Sequence, residues 1–182
     1  MTADNHNPGG KVRLALMPGV KGDAIFSADG RYRQLMRRWL GDVFPERYIL
    51  FIGMNPSTAD ASVNDPTCAR EWTFAQREGF DAMVKANVGD YRATDPKMLL
   101  ASGVSASSPD NLPVIRAQAA RAGKVILCHG KLNRALAPAG RDLVDAMKAD
   151  GIELWCFGTN GDGSPKHPLY LRADTPLVRW TG

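Results

Sequence analysis

One apolar run constrains the fold of this chain more than any other feature of its sequence. Residues 48–52 (Tyr-Ile-Leu-Phe-Ile) are continuously apolar or aromatic and β-prone, which predicts a strand buried on both faces. Gly53 ends the run, and the polar turn Asn55-Pro56-Ser57 follows it. Because ligands of open α/β sheets bind at the carboxyl ends of the strands, this turn is a candidate functional site.

Three further strands are predicted at residues 82–88, 125–129 and 152–157, with helical segments between them. Continuously apolar strands that alternate with helices are typical of a parallel sheet covered on both faces. We therefore predict an α/β fold, a three-layer α/β/α sandwich with a mostly parallel four-stranded central sheet. Residues 11–182 form a single domain in this prediction, after a disordered tail at residues 1–10.

Two helices are predicted from local patterns. Residues 31–40 place their apolar side chains on one helical face and four arginines on the other. We expect these arginines to be solvated, with phosphate binding as the alternative. Asp65 followed by Pro66 predicts the start of a second helix, with an acceptor at the N-cap and proline in the first turn, and this helix continues to about residue 78.

Composition narrows the class of protein. The 182 residues are 44% hydrophobic and 23% charged, as is usual for a globular domain. No apolar run reaches the ~18 residues of a membrane helix, and the polar start is not a signal peptide, so we expect a cytoplasmic protein without a membrane partner. The formal charge of +4 permits a polyanionic partner without requiring one. Three widely spaced cysteines exclude a disulfide framework, and no metal or cofactor is expected.

The common catalytic and nucleotide-binding signatures are absent. The chain has no GxxxxGK[ST], no GxGxxG between a strand and a helix, no GxSxG and no HExxH. What remains is a site of Asn, Ser, Thr, Asp and one histidine. His167 is the best candidate, because it lies in the glycine-rich loop 158–168 between Pro165 and Pro168, which stiffen the loop.

Four motifs together resemble the bacterial and phage family called DUF1643, whose name conveys no activity. They are Asn55-Pro-Ser-Thr-Ala-Asp60, Asn64-Asp-Pro-Thr67, Arg92-Ala-Thr-Asp-Pro96 and His167-Pro-Leu-Tyr-Leu171. Residues 53–56 (Gly-Met-Asn-Pro) also resemble the first motif of the uracil-DNA glycosylase superfamily. Residues 167–172 resemble its second, His-Pro motif, and the run 84–87, which ends in Asn87, resembles a strand that reads the base. Two departures are Ser57 in place of the usual glycine and the lack of cluster-binding cysteines.

The glycosylase resemblance implies a role for each candidate residue. Asn55 would position the attacking water, His167 would donate a hydrogen bond to the leaving base, and Asp60 or Asp65 would supply a carboxylate if their loop folds back. The base would be contacted by Met54, Asn87, Tyr91 and Arg92. Phosphates and the DNA strand would be contacted by Ser57, Thr58, Ser164, Lys166, Leu169, Tyr170 and Arg172.

The resemblance thus implies a DNA glycosylase-like enzyme, without a metal, that hydrolyses the N-glycosidic bond of a flipped, pyrimidine-type and possibly modified base. The partner would be single- or double-stranded DNA. Two alternatives stay open. One is an enzyme that acts on a free nucleotide or nucleoside in the same pocket. The other is a module that recognises a base without cleaving it, which the lack of a carboxylate within residues 53–57 favours. The sequence leaves the oligomeric state open.

Overall fold

The computed structural model describes residues 12–93, 95–100 and 103–182, so the predicted tail at residues 1–10 lies outside the described residues. The strands of the described chain are β1 (Leu14–Ala15), β2 (Val20–Phe26), β3 (Arg33–Leu40), β4 (Ile49–Gly53), β5 (Val63–Asn64), β6 (Ala82–Asn87), β7 (Lys124–Leu127), β8 (Leu154–Cys156) and β9 (Val178–Arg179). The α-helices are α1 (Pro66–Arg77), α2 (Asn111–Ala119) and α3 (Ala137–Ala149). Two 3₁₀ helices cover Pro96–Leu100 and Pro168–Tyr170.

The four predicted central strands lie side by side in one sheet. They follow the order β6-β4-β7-β8, and all four are parallel. β3 and then β2 extend the sheet beyond β6, and β9 extends it beyond β8, each antiparallel to its neighbour. A separate ribbon pairs β1 with β5. The predicted mixed α/β class is confirmed, and the sheet is larger and more mixed than the four strands predicted.

Helices pack on both faces of this sheet. Leu50 of β4 belongs to a core with Ile115 of α2 and Leu143 of α3. The next residue along β4, Phe51, belongs to a second core with Trp72 of α1. Successive side chains of a strand point to opposite faces, so α1 covers one face of the sheet and α2 and α3 cover the other.

The prediction of a helix at residues 31–40 is wrong, because this segment forms β3 between β2 and β6. Both faces of the strand are buried, so the neighbours Leu35 and Met36 enter opposite cores and no polar–apolar alternation is visible. The ladder is also irregular. Leu35 pairs with Ile25 and Arg33 pairs with Phe26, which leaves Gln34 as an extra residue in β3.

The prediction that the four arginines form a solvated face is wrong for two of them, whereas Arg31 is exposed and Arg37 is half-buried. Arg33 and Arg38 are both buried. Arg38 donates hydrogen bonds to the carbonyl oxygens of Asp60 and Val63 and to Oδ1 of Asn64. A buried guanidinium thereby fixes the loop that leads into α1.

The predicted start of α1 is confirmed. Asp65 is the N-cap residue, its Oδ1 accepts a hydrogen bond from the backbone N–H of Cys68 at 2.8 Å, and Pro66 opens the helix. This bond satisfies one of the N–H groups that a helix leaves unpaired at its start. In the part of the chain that the structure describes, no helix is long and apolar enough to cross a membrane.

We expect Asp65→Ala to lower the free energy of unfolding by about 1 kcal/mol through loss of this cap. Urea denaturation of the purified protein measures the change. Asp110→Ala is the matched control, because Asp110 precedes α2 but makes no side-chain capping bond. Equal losses in the two variants would contradict the capping role of Asp65.

Candidate active site at the carboxyl edge of the sheet

The ends of three adjacent parallel strands bring Asn55, Asn87 and His167 to one edge of the sheet. Asn55 follows β4, and Asn87 is the last residue of β6, where it lies opposite Gly53. Gly130 follows β7, on the other side of β4. A Cβ atom built on Gly130 would lie 3.7 Å from the Cβ of His167, so the loop after β8 returns to this edge.

Asn55 is held by its amide nitrogen. Nδ2 donates to the carbonyl oxygen of Ala93 at 2.7 Å and to that of Pro56 at 3.0 Å. The backbone N–H of Ala93 in turn donates to the carbonyl oxygen of Pro56 at 3.1 Å. Both side-chain bonds use Nδ2, which leaves Oδ1 as the acceptor atom of this amide.

Asn87 is the most unusual polar group at this edge. Its side chain is 1% exposed, and neither Oδ1 nor Nδ2 has a hydrogen-bond partner within the described chain. A buried amide without partners costs roughly 1–3 kcal/mol, so a folded protein rarely leaves one unpaired. A Cβ atom on Gly53 would lie 2.8 Å from Oδ1 of Asn87, so the missing side chain of Gly53 makes room for this amide.

A buried ion pair lies beside Asn87, and sequence reasoning missed it. Lys85 of β6 contacts Glu71 of α1, and both side chains are buried. The Sγ atom of Cys128 donates to Oε1 of Glu71 at 3.4 Å. Burial acts to lower the pKa of Lys85, but the charge of Glu71 raises it, so Lys85 stays charged. Burial raises the pKa of Glu71 against the attraction of Lys85. The available signal was a lysine inside the apolar run 82–88.

His129 lies near this network as a neutral side chain. Its Nδ1 lies 2.7 Å from the carbonyl oxygen of Gly130, which makes Nδ1 the donor. Burial lowers the pKa of His129, and the charge of Lys85 adds to that effect. A cavity of about 510 Å³ opens beside His129 toward α3. That cavity is on the α2–α3 side of the sheet, away from the amide of Asn87.

Among the described residues, no group of three or more His, Cys, Asp or Glu side chains is arranged to hold a metal ion.

His167 is fixed by the turn that it starts. It is the N-cap of the 3₁₀ helix Pro168–Tyr170, and its Nδ1 accepts from the backbone N–H of Leu169 at 3.4 Å. This contact holds the imidazole ring against the turn that it starts. The backbone N–H of Lys166 donates to the carbonyl oxygen of Gly158, which ties the two ends of the loop together.

The predicted phosphate contacts fall into two groups. The hydroxyl groups of Ser57 and Thr58 are buried, and neither has a partner within the described chain. Ser164 is committed to its own loop, because its hydroxyl donates to Asp162 and accepts from Asn160. The Lys166 side chain passes over Gly158. A Cβ atom built on Gly158 would lie 3.9 Å from Cδ of Lys166. Ser57 and Thr58 are therefore the hydroxyl groups that lack an internal partner.

The remaining candidates have structural roles or lie at the surface. Asp65 caps α1, and Asp60 accepts from the backbone N–H groups of Ser62 and Val63. Met54 packs against the core, Tyr91 contacts Tyr32 edge-on, and Arg92 donates to the carbonyl oxygen of Gly30. Leu169 is half-buried, Arg172 pairs with Asp174 at the surface, and Tyr170 is 84% exposed. The Tyr170 ring lies beside that of His167, with 5.9 Å between the ring centroids.

Comparison with known proteins places the chain in a family. Residues 31–169 match the family described as "Protein of unknown function (DUF1643)", and the chain belongs to that family. No curated protein and no solved structure matches it.

We expect Gly53→Ala to lower the free energy of unfolding by about 1–3 kcal/mol, the usual cost of overpacking. The new methyl group would lie 2.6 Å from Nζ of Lys85, which is held in the buried ion pair. Gly161→Ala is the control, because no atom lies within 4 Å of its ideal Cβ position. Wild-type stability of Gly53→Ala in urea would contradict this expectation, because it would mean that the side chains around Gly53 can accommodate a methyl group.

His129 should make stability depend on pH. Its pKa is lowered in the folded protein, so below about 6.5 the unfolded chain binds the proton more readily. The free energy of unfolding therefore falls as the pH drops below that value, by up to about 1.4 kcal/mol per pH unit. The His129→Gln variant should lose this contribution. Urea denaturation of both proteins between pH 7 and 5 measures it, and parallel profiles would contradict the assignment.

Proposed function

We propose that this DUF1643 protein is a DNA glycosylase-like enzyme that hydrolyses the N-glycosidic bond of an extruded, pyrimidine-type base. The observation that carries the proposal is the buried, unpartnered amide of Asn87 at the same sheet edge as Asn55 and His167. An amide presents one acceptor and one donor side by side, which matches the N3–H and carbonyl edge of uracil or thymine. A bound base would satisfy both atoms.

The parallel strands support the same proposal. The glycosylase resemblance implies a four-stranded parallel sheet with the Gly-x-Asn-Pro and His-Pro motifs at its carboxyl edge. β6, β4, β7 and β8 are the parallel part of the seven-stranded sheet, with Asn55 after β4 and His167 next to Gly130 after β7. The details of a uracil-DNA glycosylase-like fold are part of the proposal.

The chemistry needs little from the protein beyond positioning. The bond between the sugar C1′ and the base nitrogen breaks, and both bonding electrons leave with the base. His167 would donate a hydrogen bond to the base oxygen on which negative charge develops. A water held by Oδ1 of Asn55 would add to C1′ of the oxocarbenium-like sugar, and its released proton balances the charge of the base. An amide is a weak base, so Asn55 would act by placing the water.

A base-recognition module is the second candidate. Its support is the commitment of both nearby carboxylates to local structure, since Asp65 caps α1 and Asp60 accepts from Ser62 and Val63. Without a carboxylate to activate water, the same pocket would bind a base and leave its bond intact.

The test uses duplex and single-stranded oligonucleotides that carry uracil, mismatched thymine or hypermodified pyrimidines. Base release is scored as alkali-labile sites, and binding is measured separately by fluorescence anisotropy. We expect release of at least one of these bases by the wild-type protein. Binding of a modified base without release from any substrate would favour the recognition module, and neither binding nor release would reject both candidates.

Three variants assign the roles. Asn55→Ala should abolish release with little loss of binding, because its interaction matters mainly in the transition state. His167→Ala should slow release by ~10²–10³, the usual effect of removing one preorganised donor. Asn87→Leu should lose binding while the protein stays folded, since it removes a buried amide that lacks partners. Gln76→Ala, which removes an exposed amide on α1, is the control and should match the wild type.

A further inference from the structure

Arg33 is a buried cation with almost no partners. Its side chain is 1% exposed, and its one side-chain hydrogen bond within the described chain runs from Nη1 to the carbonyl oxygen of Ala59. Nε has no partner, and no carboxylate of the described residues pairs with the guanidinium. A guanidinium stays charged at any physiological pH, and a buried charge without a counter-charge is strongly disfavoured.

Arg38 on the same strand shows what a structural arginine looks like in this fold. It is also buried, but it donates to three carbonyl oxygens and to the Asn64 side chain. Those bonds account for its burial. The single hydrogen bond of Arg33 does not account for the burial of its charge, so Arg33 needs an explanation other than the structural one that fits Arg38.

An irregularity in β3 directs Arg33 toward the site. Arg33 and Leu35 are two residues apart, so they would share a face in a regular strand. The extra residue Gln34 breaks that alternation. As a result, Leu35 packs in the core under α2 and α3, whereas Arg33 reaches Ala59, which packs in the core under α1.

Arg92 brings a second positive charge to the same place. Tyr32 and Tyr91 form an antiparallel bridge, and the backbone N–H of Arg33 donates to the carbonyl oxygen of Asp90. In this pairing Arg33 and Arg92 lie on adjacent extended segments, as diagonal neighbours. Burial lowers the pKa of Arg92, and the charge of Arg33 lowers it further. Its Nε is buried and has no partner within the described chain.

Two unpartnered hydroxyl groups complete the set. Ser57 and Thr58 directly precede Ala59, and their Oγ and Oγ1 atoms are buried without partners among the described residues. The nearest carboxylate in sequence, Asp60, is already used, since Oδ1 accepts from its own turn and Oδ2 pairs with Arg13 at 3.4 Å. Neither guanidinium forms an ion pair with a carboxylate of the described residues, although the charge of Asp60 acts on Arg92 and raises its pKa against the effect of burial.

We propose that Arg33, Arg92, Ser57 and Thr58 form a binding subsite for the phosphate group of a nucleotide. Guanidinium N–H groups match phosphate oxygens in pairs, and hydroxyl groups add donors of the same kind. The subsite begins two residues after Asn55, so it is placed to hold a phosphate next to the sugar whose bond is cleaved. That the phosphate belongs to a nucleotide rests on the proposed function, whereas the anion site itself stands on the burial of Arg33.

The first experiment compares deoxyuridine monophosphate with deoxyuridine by calorimetric titration, with inorganic phosphate as a third probe. The wild type should bind the monophosphate at least about tenfold tighter than the nucleoside, because hydrogen bonds between charged groups are strong. Arg33→Met and Thr58→Val should each lose this preference and keep the affinity for the nucleoside. Arg116→Met, which removes a surface arginine paired with Asp150, should keep the preference. No preference in the wild type, or an unchanged preference in Arg33→Met, would overturn the proposal.

The second experiment asks whether Arg33 is needed for folding. In buffer without phosphate, Arg33→Met should unfold at the same temperature as the wild type or higher, because it removes a buried charge without a counter-charge. Arg38→Met should unfold at a lower temperature, because it leaves several buried carbonyl groups unpaired. A loss in Arg33→Met as large as that in Arg38→Met would make Arg33 structural and would overturn the proposal.

A third experiment distinguishes a backbone phosphate from the phosphate of a free nucleotide. It also tests the subsite separately from the proposed hydrolase activity. A short single-stranded oligonucleotide that binds tighter than the monophosphate, with the difference lost in Arg33→Met, identifies a backbone phosphate. Equal binding of the two identifies the phosphate of a free nucleotide, and both results support the subsite. Arg33-dependent phosphate binding without release of any base would leave the subsite standing and reject the hydrolase.

Discussion

The register of β4 between β6 and β7 is the constraint on which the site depends. Gly53 lies opposite Asn87 in one ladder, and Ile52 lies opposite Leu127 in the other. A slip of one residue in either ladder would turn every side chain of β4 to the other face. Asn87, Lys85 and the empty side-chain position of Gly53 would then no longer meet. The apolar residues that drive burial of β4 therefore also set the positions of the polar groups at its end.

The two faces of the sheet have different characters. The core under α2 and α3 is formed by aliphatic, aromatic and small residues such as Leu50 and Ile115. The side under α1 holds the Lys85–Glu71 pair and the guanidinium of Arg38 as well as apolar residues. Burial of charged groups costs stability unless each is paired. The apolar face thus supplies stability, and the α1 face carries buried charged groups that depend on their partners.

The sequence predicts the parallel centre of the fold well and its antiparallel edge badly. Residues 48–52 predict β4 because a buried parallel strand is continuously apolar. Asp65-Pro66 predicts the start of α1 because helix capping depends on neighbouring residues in the sequence. β3 is missed because its arginines are buried by contacts with the distant loop of Ala59 and Asn64. The candidate site divides in the same way. Asn55, Asn87 and His167 stand at recognisable strand ends and turns, but the ion pair of Lys85 with Glu71 and the closeness of Arg33 to Arg92 depend on tertiary packing.

The antiparallel pairing of β8 with β9 has a consequence for the histidine loop. Cys156 pairs with Val178, so the whole segment that carries His167 is a closed loop whose two ends are fastened by neighbouring strands. Closing a loop of this kind removes chain entropy before any ligand binds, and the entropy returns if either end is released. The loop that carries His167 is thus held by its own turn and also by the two-residue strand β9, which lies far from the ring in sequence. Removing β9 would release one end of this loop while leaving every residue of the turn at His167 unchanged.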